Sequence, residues 1–171
     1  SELLGTSGAL NNFKSFINED FVVIYGDTVT DLDLKKLVEH HKKNKSIVTI
    51  ALRKKPKDYK TQSLVILDSR MNVLQFHEKP SEEIVNKLVK DYKWISSGIY
   101  VLSPEILKFI PEGFSDFAND IFPKVLAANK KIIGFDMSDY FYREVGRIEK
   151  YEIAKQEIES GKIKLNFVEN N

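Results

Sequence analysis

Unbroken apolar runs alternate along this chain with stretches in which apolar residues recur every three or four positions. Phe21-Val22-Val23-Ile24-Tyr25 and Ile47-Val48-Thr49-Ile50-Ala51-Leu52 are too short for helices and rich in β-branched residues. They predict strands buried on both faces, the first of them central. Between them, Leu34, Leu37 and Val38 stand at helical spacing behind Asp31 and Asp33. One aspartate therefore caps a helix from 33 to about 45. A strand, helix, strand unit with a connection of that length predicts parallel pairing.

The same reading extends to both ends. Ala9, Leu10, Phe13, Phe16 and Ile17 form a helical face behind Gly5-Thr6-Ser7-Gly8, where Thr6 or Ser7 is the expected cap. Residues 63–68 and 73–78 predict an antiparallel hairpin, closed by Pro80 after Glu78-Lys79. A polar helix over 81–89 and a strand over 94–102 follow, the strand interrupted by Ser96-Ser97-Gly98. Ser103-Pro104-Glu105 opens a helix to about 109, and Ser115-Asp116 opens another that Pro123 should break. Strands at 132–135 and 140–146 and a helix over 148–160, ended by Gly161, complete the set. The alternation predicts an α/β fold: a mostly parallel, Rossmann-like central sheet with helices on both faces, in a single domain over 1–171.

Composition narrows the function. A net charge of +1 gives no electrostatic drive toward nucleic acid or a membrane surface. With no cysteine, disulfides and thiolate metal sites are excluded, and a cytoplasmic location is expected. No apolar run reaches the roughly 18 residues of a membrane span. Adjacent His40 and His41 cannot form an i,i+4 metal pair and are expected to be solvated. Arg53-Lys54-Lys55-Pro56-Lys57 reads as a solvated connector into a loop through Tyr59 and Thr61.

Candidate chemistry sits at strand ends. The first run stops at Gly26-Asp27, which puts a carboxylate just past the carboxyl end of a strand, the edge where α/β sheets bind ligands. Gly26 would allow a sharp turn and close approach of a ligand; Asp27 is then either a turn residue or part of a metal or phosphate site. The helix start at Gly5-Thr6-Ser7-Gly8 is either a plain cap or a phosphate cradle. Gly98 inside a strand suggests close approach of a ligand or another backbone.

Five segments occur in an order that resembles one family: Gly5-Thr6-Ser7-Gly8-Ala9-Leu10; Tyr25-Gly26-Asp27-Thr28 with Asp31-Leu32-Asp33-Leu34; Phe76-His77-Glu78-Lys79-Pro80; Ser97-Gly98-Ile99-Tyr100-Val101-Leu102; and Tyr142-Arg143-Glu144-Val145-Gly146. They look like the sugar-1-phosphate nucleotidyltransferases, and among these like the enzymes joining mannose 1-phosphate or heptose 1-phosphate to GTP. The resemblance implies the nucleotide-diphospho-sugar transferase fold and transfer of a nucleotidyl group from a nucleoside triphosphate to a sugar 1-phosphate. It implies that Gly5, Thr6 and Gly26 contact the nucleotide. Asp27 and Glu144 would bind Mg²⁺, Glu78, Ser97 and Gly98 would meet the sugar, and Lys79 would hold its phosphate. The reaction needs no side-chain nucleophile, only two anions brought together by metal and lysine.

Three departures accompany the resemblance. The family opens with a Gly-rich triphosphate loop that nothing before Gly5 supplies. Ser96 stands where asparagine is common, and Glu144 where the family has aspartate. The chain is therefore expected to be the C-terminal portion of a longer enzyme or a proteolytic product. By itself it should be inactive, with an uncovered sheet edge that invites self-association. Two alternatives remain: a non-catalytic domain of the same fold that binds a sugar nucleotide or regulates a partner, and a haloacid-dehalogenase-like phosphatase built on Asp31-Leu32-Asp33. In the latter the first aspartate should end the strand directly, whereas the apolar run ends at Asp27.

Overall fold

A computed structural model describes residues 3–54, 63–88 and 94–161. Within them β6 (Trp94–Leu102) is the pivot of a six-stranded sheet. Strand β3 (Val48–Lys54) pairs along one side of it, from Val48 opposite Leu102 to Lys54 opposite Trp94. The other side is shared. Strand β4 (Leu64–Leu67) takes the Trp94 end and β1 (Phe21–Ile24) takes the Leu102 end. Outer positions go to β5 (Val73–His77) beside β4 and β7 (Ile132–Asp136) beside β3.

The α/β class and the hairpin agree with the pattern of the chain, while the expected β1–β3 pair does not form and the sheet is mostly antiparallel rather than mostly parallel. Both strands lie antiparallel to β6, which stands between them. Thus β1, β3, β4 and β7 share a direction, but only β3 and β7 are parallel neighbours. The helix α2 (Leu34–Asn44) that links β1 to β3 sets their common direction and leaves one strand's width between them. Nor is β1 central or doubly buried. Its residues are half-buried, Ile24 is exposed, and no described strand pairs with its second edge.

Alternation along β3 and β6 divides the core between two faces. Val48, Ile50, Leu52, Tyr100 and Leu102 pack under Phe117, Ile121, Phe122 and Val125. Ala51, Ile99 and Val101 meet Leu37 of α2 on the other face. Helices therefore cover both faces. Pro123 breaks its helix as expected: a π-helical turn (Phe117–Ile121) hands over to α4 (Phe122–Ala127), with Pro123 in the first turn, where a missing N–H costs nothing. Remaining helices are α1 (Gly5–Gly8), α3 (Glu82–Leu88) and α5 (Ile148–Glu159). Residues Ala9–Phe16, expected as α-helix, form a 3₁₀ segment instead. The expected end of α3 at Val89 and the connector through Tyr59 and Thr61 lie outside the described residues. No described helix is long and apolar enough to cross a membrane.

His41 corrects the expectation of a solvated pair. It is 2% exposed, and its Nδ1 lies 2.9 Å from Thr49 Oγ1 and 3.2 Å from Ser46 Oγ. Burial lowers its pKa against the opposing pull of Asp20, and burial lowers His40 and His77 as well. A depressed folded pKa means that the unfolded chain takes up the proton first. The stability these groups contribute is complete above about pH 6.5, the ordinary histidine value, and is lost as pH falls through the lowered values. The urea midpoint should therefore drop between about pH 6.5 and 5.5, before carboxylates titrate, and His41→Gln should flatten that drop. A midpoint constant across this window would refute the assignment.

Candidate active site

The segment after β1 builds the site. Thr28 N–H donates to the Tyr25 carbonyl at 3.1 Å, closing a turn, and the chain continues into β2 (Thr28–Thr30). Sequence reading missed this strand, because three residues are too few to show a period. It pairs antiparallel with β8 (Tyr142–Glu144), Thr28 standing opposite Glu144. One rung further, Val145 N–H donates to the Asp27 carbonyl at 2.7 Å. An antiparallel ribbon, rather than a pair of parallel strands, thus brings Asp27 and Glu144 to one place.

The ribbon forms one wall of a cavity of about 260 Å³ between it and the sheet. Asp27, Glu78, Lys79, Ser97, Gly98 and Glu144 all line it, from four separate stretches of sequence. Glu78 follows β5; its Oε2 accepts a hydrogen bond from Ser63 Oγ, and its Oε1 lies 3.7 Å from Lys79 Nζ. Lys79 is largely exposed and held at positive φ, so its ion pair with Glu78 adds little stability and leaves the ammonium available. Ser97 is buried, its hydroxyl donating to the Ala51 carbonyl at 2.7 Å. Glu144 Oε2 accepts from Lys150 of α5 at 2.8 Å.

Gly5, Thr6 and Gly26 are not among the lining residues. The Thr6 hydroxyl donates to Asp116 Oδ1 at 2.7 Å and accepts from Phe117 N–H, while Ser7 and Gly8 N–H both donate to the Ser115 carbonyl. This helix start is consumed by the segment before α4 and offers no free cradle. Gly26 stays out of the left-handed region, so its turn does not require glycine, although a Cβ there would meet nothing within 4 Å. Gly98, at φ +72°, does need its freedom, but what approaches it is the Tyr25 ring, 2.9 Å from where a Cβ would be. Asp31 and Asp33 are structural. Asp31 accepts from Phe141 N–H at 2.7 Å, and Asp33 caps α2 through Lys36 N–H at 3.1 Å.

Seven further lining residues were not among the candidates: Tyr25, Thr28, Arg53, Ser63, Ser96, Tyr100 and Tyr142. Burial raises the pKa of all three tyrosines, Tyr100 well above its ordinary value, so each remains a neutral phenol. Arg53 was hidden in its basic run; it ends up half-buried against the Tyr142 ring, 3.8 Å from the centroid.

Three carboxylates and two cations give the lining a slight negative excess before any phosphate enters. Hard oxygen donors suit Mg²⁺ rather than a softer ion. Asp27 and Glu144 both line the cavity and would be two such donors; no group of three or more acidic or histidine ligands occurs among the described residues, so water and phosphate would have to supply the rest. Asp27 is set closely. A Cβ added to Gly146 would lie 2.6 Å from Asp27 Oδ2. Gly146→Ala should therefore push this carboxylate aside and lower activity on the order of tenfold or more, with less than about 1 kcal/mol lost in stability. Unchanged turnover in that variant would mean that the carboxylate position is unimportant.

Comparison with known proteins gives this geometry its context. The family described as "Nucleotidyl transferase" matches residues 1–161. The chain is 31% identical over 166 residues to UTP–glucose-1-phosphate uridylyltransferase of Synechocystis sp., covering 94% of this chain and 41% of that protein. It is also 31% identical to D-glycero-α-D-manno-heptose 1-phosphate guanylyltransferase of Aneurinibacillus thermoaerophilus, covering 92% and 64%. Among solved structures, HddC from Yersinia pseudotuberculosis, complexed with GMP-PN, superposes with a TM-score of 0.71 at 27% identity, over 92% of this chain and 64% of that one. The chain thus spans between about two fifths and under two thirds of the length of these proteins.

Proposed function

Since the chain belongs to the nucleotidyl transferase family, we propose that its cavity holds a sugar 1-phosphate for attack on a nucleoside triphosphate. The observation that carries this reading is the convergence of Asp27, Glu78, Lys79 and Glu144, from both ends of the chain, on one cavity. Products are a nucleotide-sugar and pyrophosphate. A sugar-phosphate oxygen forms a bond to the α-phosphorus while the bond from that phosphorus to the bridging oxygen of the β-phosphate breaks.

Each residue has a task suited to its chemistry. The Lys79 ammonium neutralises the sugar phosphate as it approaches a second anion. Glu78, braced by Ser63, accepts hydrogen bonds from sugar hydroxyls, while Ser97 and Gly98 form the floor beneath the sugar. Asp27 and Glu144 would hold Mg²⁺, which supplies charge neutralisation at the reacting phosphates. Glu144 must then loosen its bond to Lys150. No side chain has to act as a nucleophile.

GTP is the donor we favour, supported by the likeness to a heptose 1-phosphate guanylyltransferase. The 171 residues contain no Gly-rich triphosphate loop of the family kind, so turnover is expected to need residues beyond them. The open edge of β1 would then invite another strand, from a second copy or from elsewhere in the polypeptide. Pyrophosphate release, with GTP, UTP and ATP each paired against glucose, mannose and manno-heptose 1-phosphates, tests the reading. A preference for UTP or ATP would correct the donor; no release from any pair by a polypeptide of the relatives' length would overturn the transferase reading.

A further inference from the structure

We propose that Arg53 is a substrate-binding residue whose guanidinium hydrogen-bonds the phosphate of the sugar 1-phosphate; this rests on the transfer reading above. Arg53 is the sixth residue of β3, past the register shift between Ile50 and Leu52, and it lines the cavity. Its guanidinium lies 3.8 Å from the centroid of the Tyr142 ring. Tyr142 and Glu144 alternate with Arg143 along β8 and so share one side of the ribbon, which places Arg53 beside Glu144, one of the two carboxylates assigned to the metal.

The charge of Arg53 is only partly met within the fold, by attraction to Glu144 and a side-chain hydrogen bond with Tyr142. Its Nε is buried and has no hydrogen-bond partner among the described residues. Burial works against its charge, and neighbouring Glu144 is already engaged by Lys150 at 2.8 Å. The arginine of the ribbon itself is satisfied differently: Arg143 makes a bidentate pair with Glu157, at 2.8 and 2.9 Å, that ties β8 to α5. A guanidinium stays charged under all working conditions, and its planar fork matches two phosphate oxygens. Stacking on Tyr142 fixes that plane in advance, so little orientation remains to be lost on binding. A desolvated cation of this kind is a cost to the ligand-free fold, repaid when an oxyanion arrives.

This last point separates binding from architecture. If Arg53 merely clamped the ribbon, removing it would loosen the protein; if it waits for phosphate, removal should relieve the fold and harm affinity. The test measures thermal midpoints and Mg²⁺-containing titration calorimetry on the 171-residue chain and its Arg53→Gln and Arg53→Lys variants. Titrants are glucose, mannose and manno-heptose 1-phosphates, with the methyl glycosides of the same sugars as phosphate-free controls. For every sugar phosphate that the unsubstituted chain binds, Arg53→Gln should weaken binding at least tenfold, Arg53→Lys less so. The methyl glycosides should be indifferent to both changes, and the ligand-free midpoint should be unchanged or higher. Equal affinity in Arg53→Gln, or a fall in midpoint matching the loss of affinity, overturns the inference and leaves the transfer reading standing. An unsubstituted chain that binds none of the three sugar phosphates overturns this inference, while pyrophosphate release by a polypeptide of the relatives' length decides the transfer reading separately.

Discussion

Asp27→Asn is expected to abolish pyrophosphate release while leaving the fold intact. The substitution keeps the shape of the side chain and removes its charge. The backbone of Asp27 still accepts from Val145 N–H, so the corner of the ribbon should survive. What is lost is a hard anionic ligand at the place where negative charge accumulates during transfer. A metal that stabilises such charge is worth several kcal/mol, so turnover should fall on the order of a thousandfold or more. Glu144 gives the matching series. Glu144→Asp should retain activity, and Glu144→Gln should lose most of it. Substantial turnover in Asp27→Asn, with an unchanged dependence on Mg²⁺, would sink the two-carboxylate assignment.

Lys79→Ala should produce the next largest effect, and a different one. Lys79 is exposed, at positive φ, with only a long contact to Glu78, so its removal should leave the thermal midpoint nearly unchanged. A hydrogen bond to a charged group is worth about 1.5–3 kcal/mol, so the KM for sugar phosphate should rise on the order of 10- to 100-fold. If the contact tightens in the transition state, kcat falls as well. Glu78→Gln should alter the choice among sugars more than triphosphate affinity. Steady-state kinetics with both substrates varied reads these effects apart, and unchanged constants in both variants would place the pair outside the site.

Much of the fold was legible because one rule governs it locally. The apolar run of β3, the two arms of the β4–β5 hairpin and the break at Pro123 all express constraints contained within a few residues. Adjacency in the sheet is different. Whether β1 lies against β3 depends on β6, a strand some 70 residues further along, and no pattern within β1 records that β6 will claim the position. His41 was misread for a similar reason. Its burial follows from Thr49 and Ser46 arriving beneath it, not from its own helix. The candidate site divides in the same way. Asp27, Glu78, Lys79 and Glu144 stood out because carboxylates and lysines at strand ends are chemically conspicuous. Arg53 was masked by the lysines that follow it, and Gly146, which leaves room for the Asp27 carboxylate, looked like any turn glycine.

The β2–β8 ribbon has a consequence for the order in which this protein acquires its competence. It joins Thr28 to Glu144 by three ladder pairs, across more than a hundred intervening residues. Closing a loop of that length costs on the order of 4 kcal/mol of chain entropy, and three pairs recover little of it unaided. The ribbon can therefore assemble only once the β3–β6 core has drawn the distant segments together, and it belongs among the first parts to open again. During synthesis Asp27 leaves the ribosome long before Glu144 exists, so the carboxylate pair is absent from every nascent intermediate. Mild destabilisation should strike in the reverse order. A weakened ribbon can silence the protein while the bulk of its sheet, and any spectroscopic signal from it, remains native.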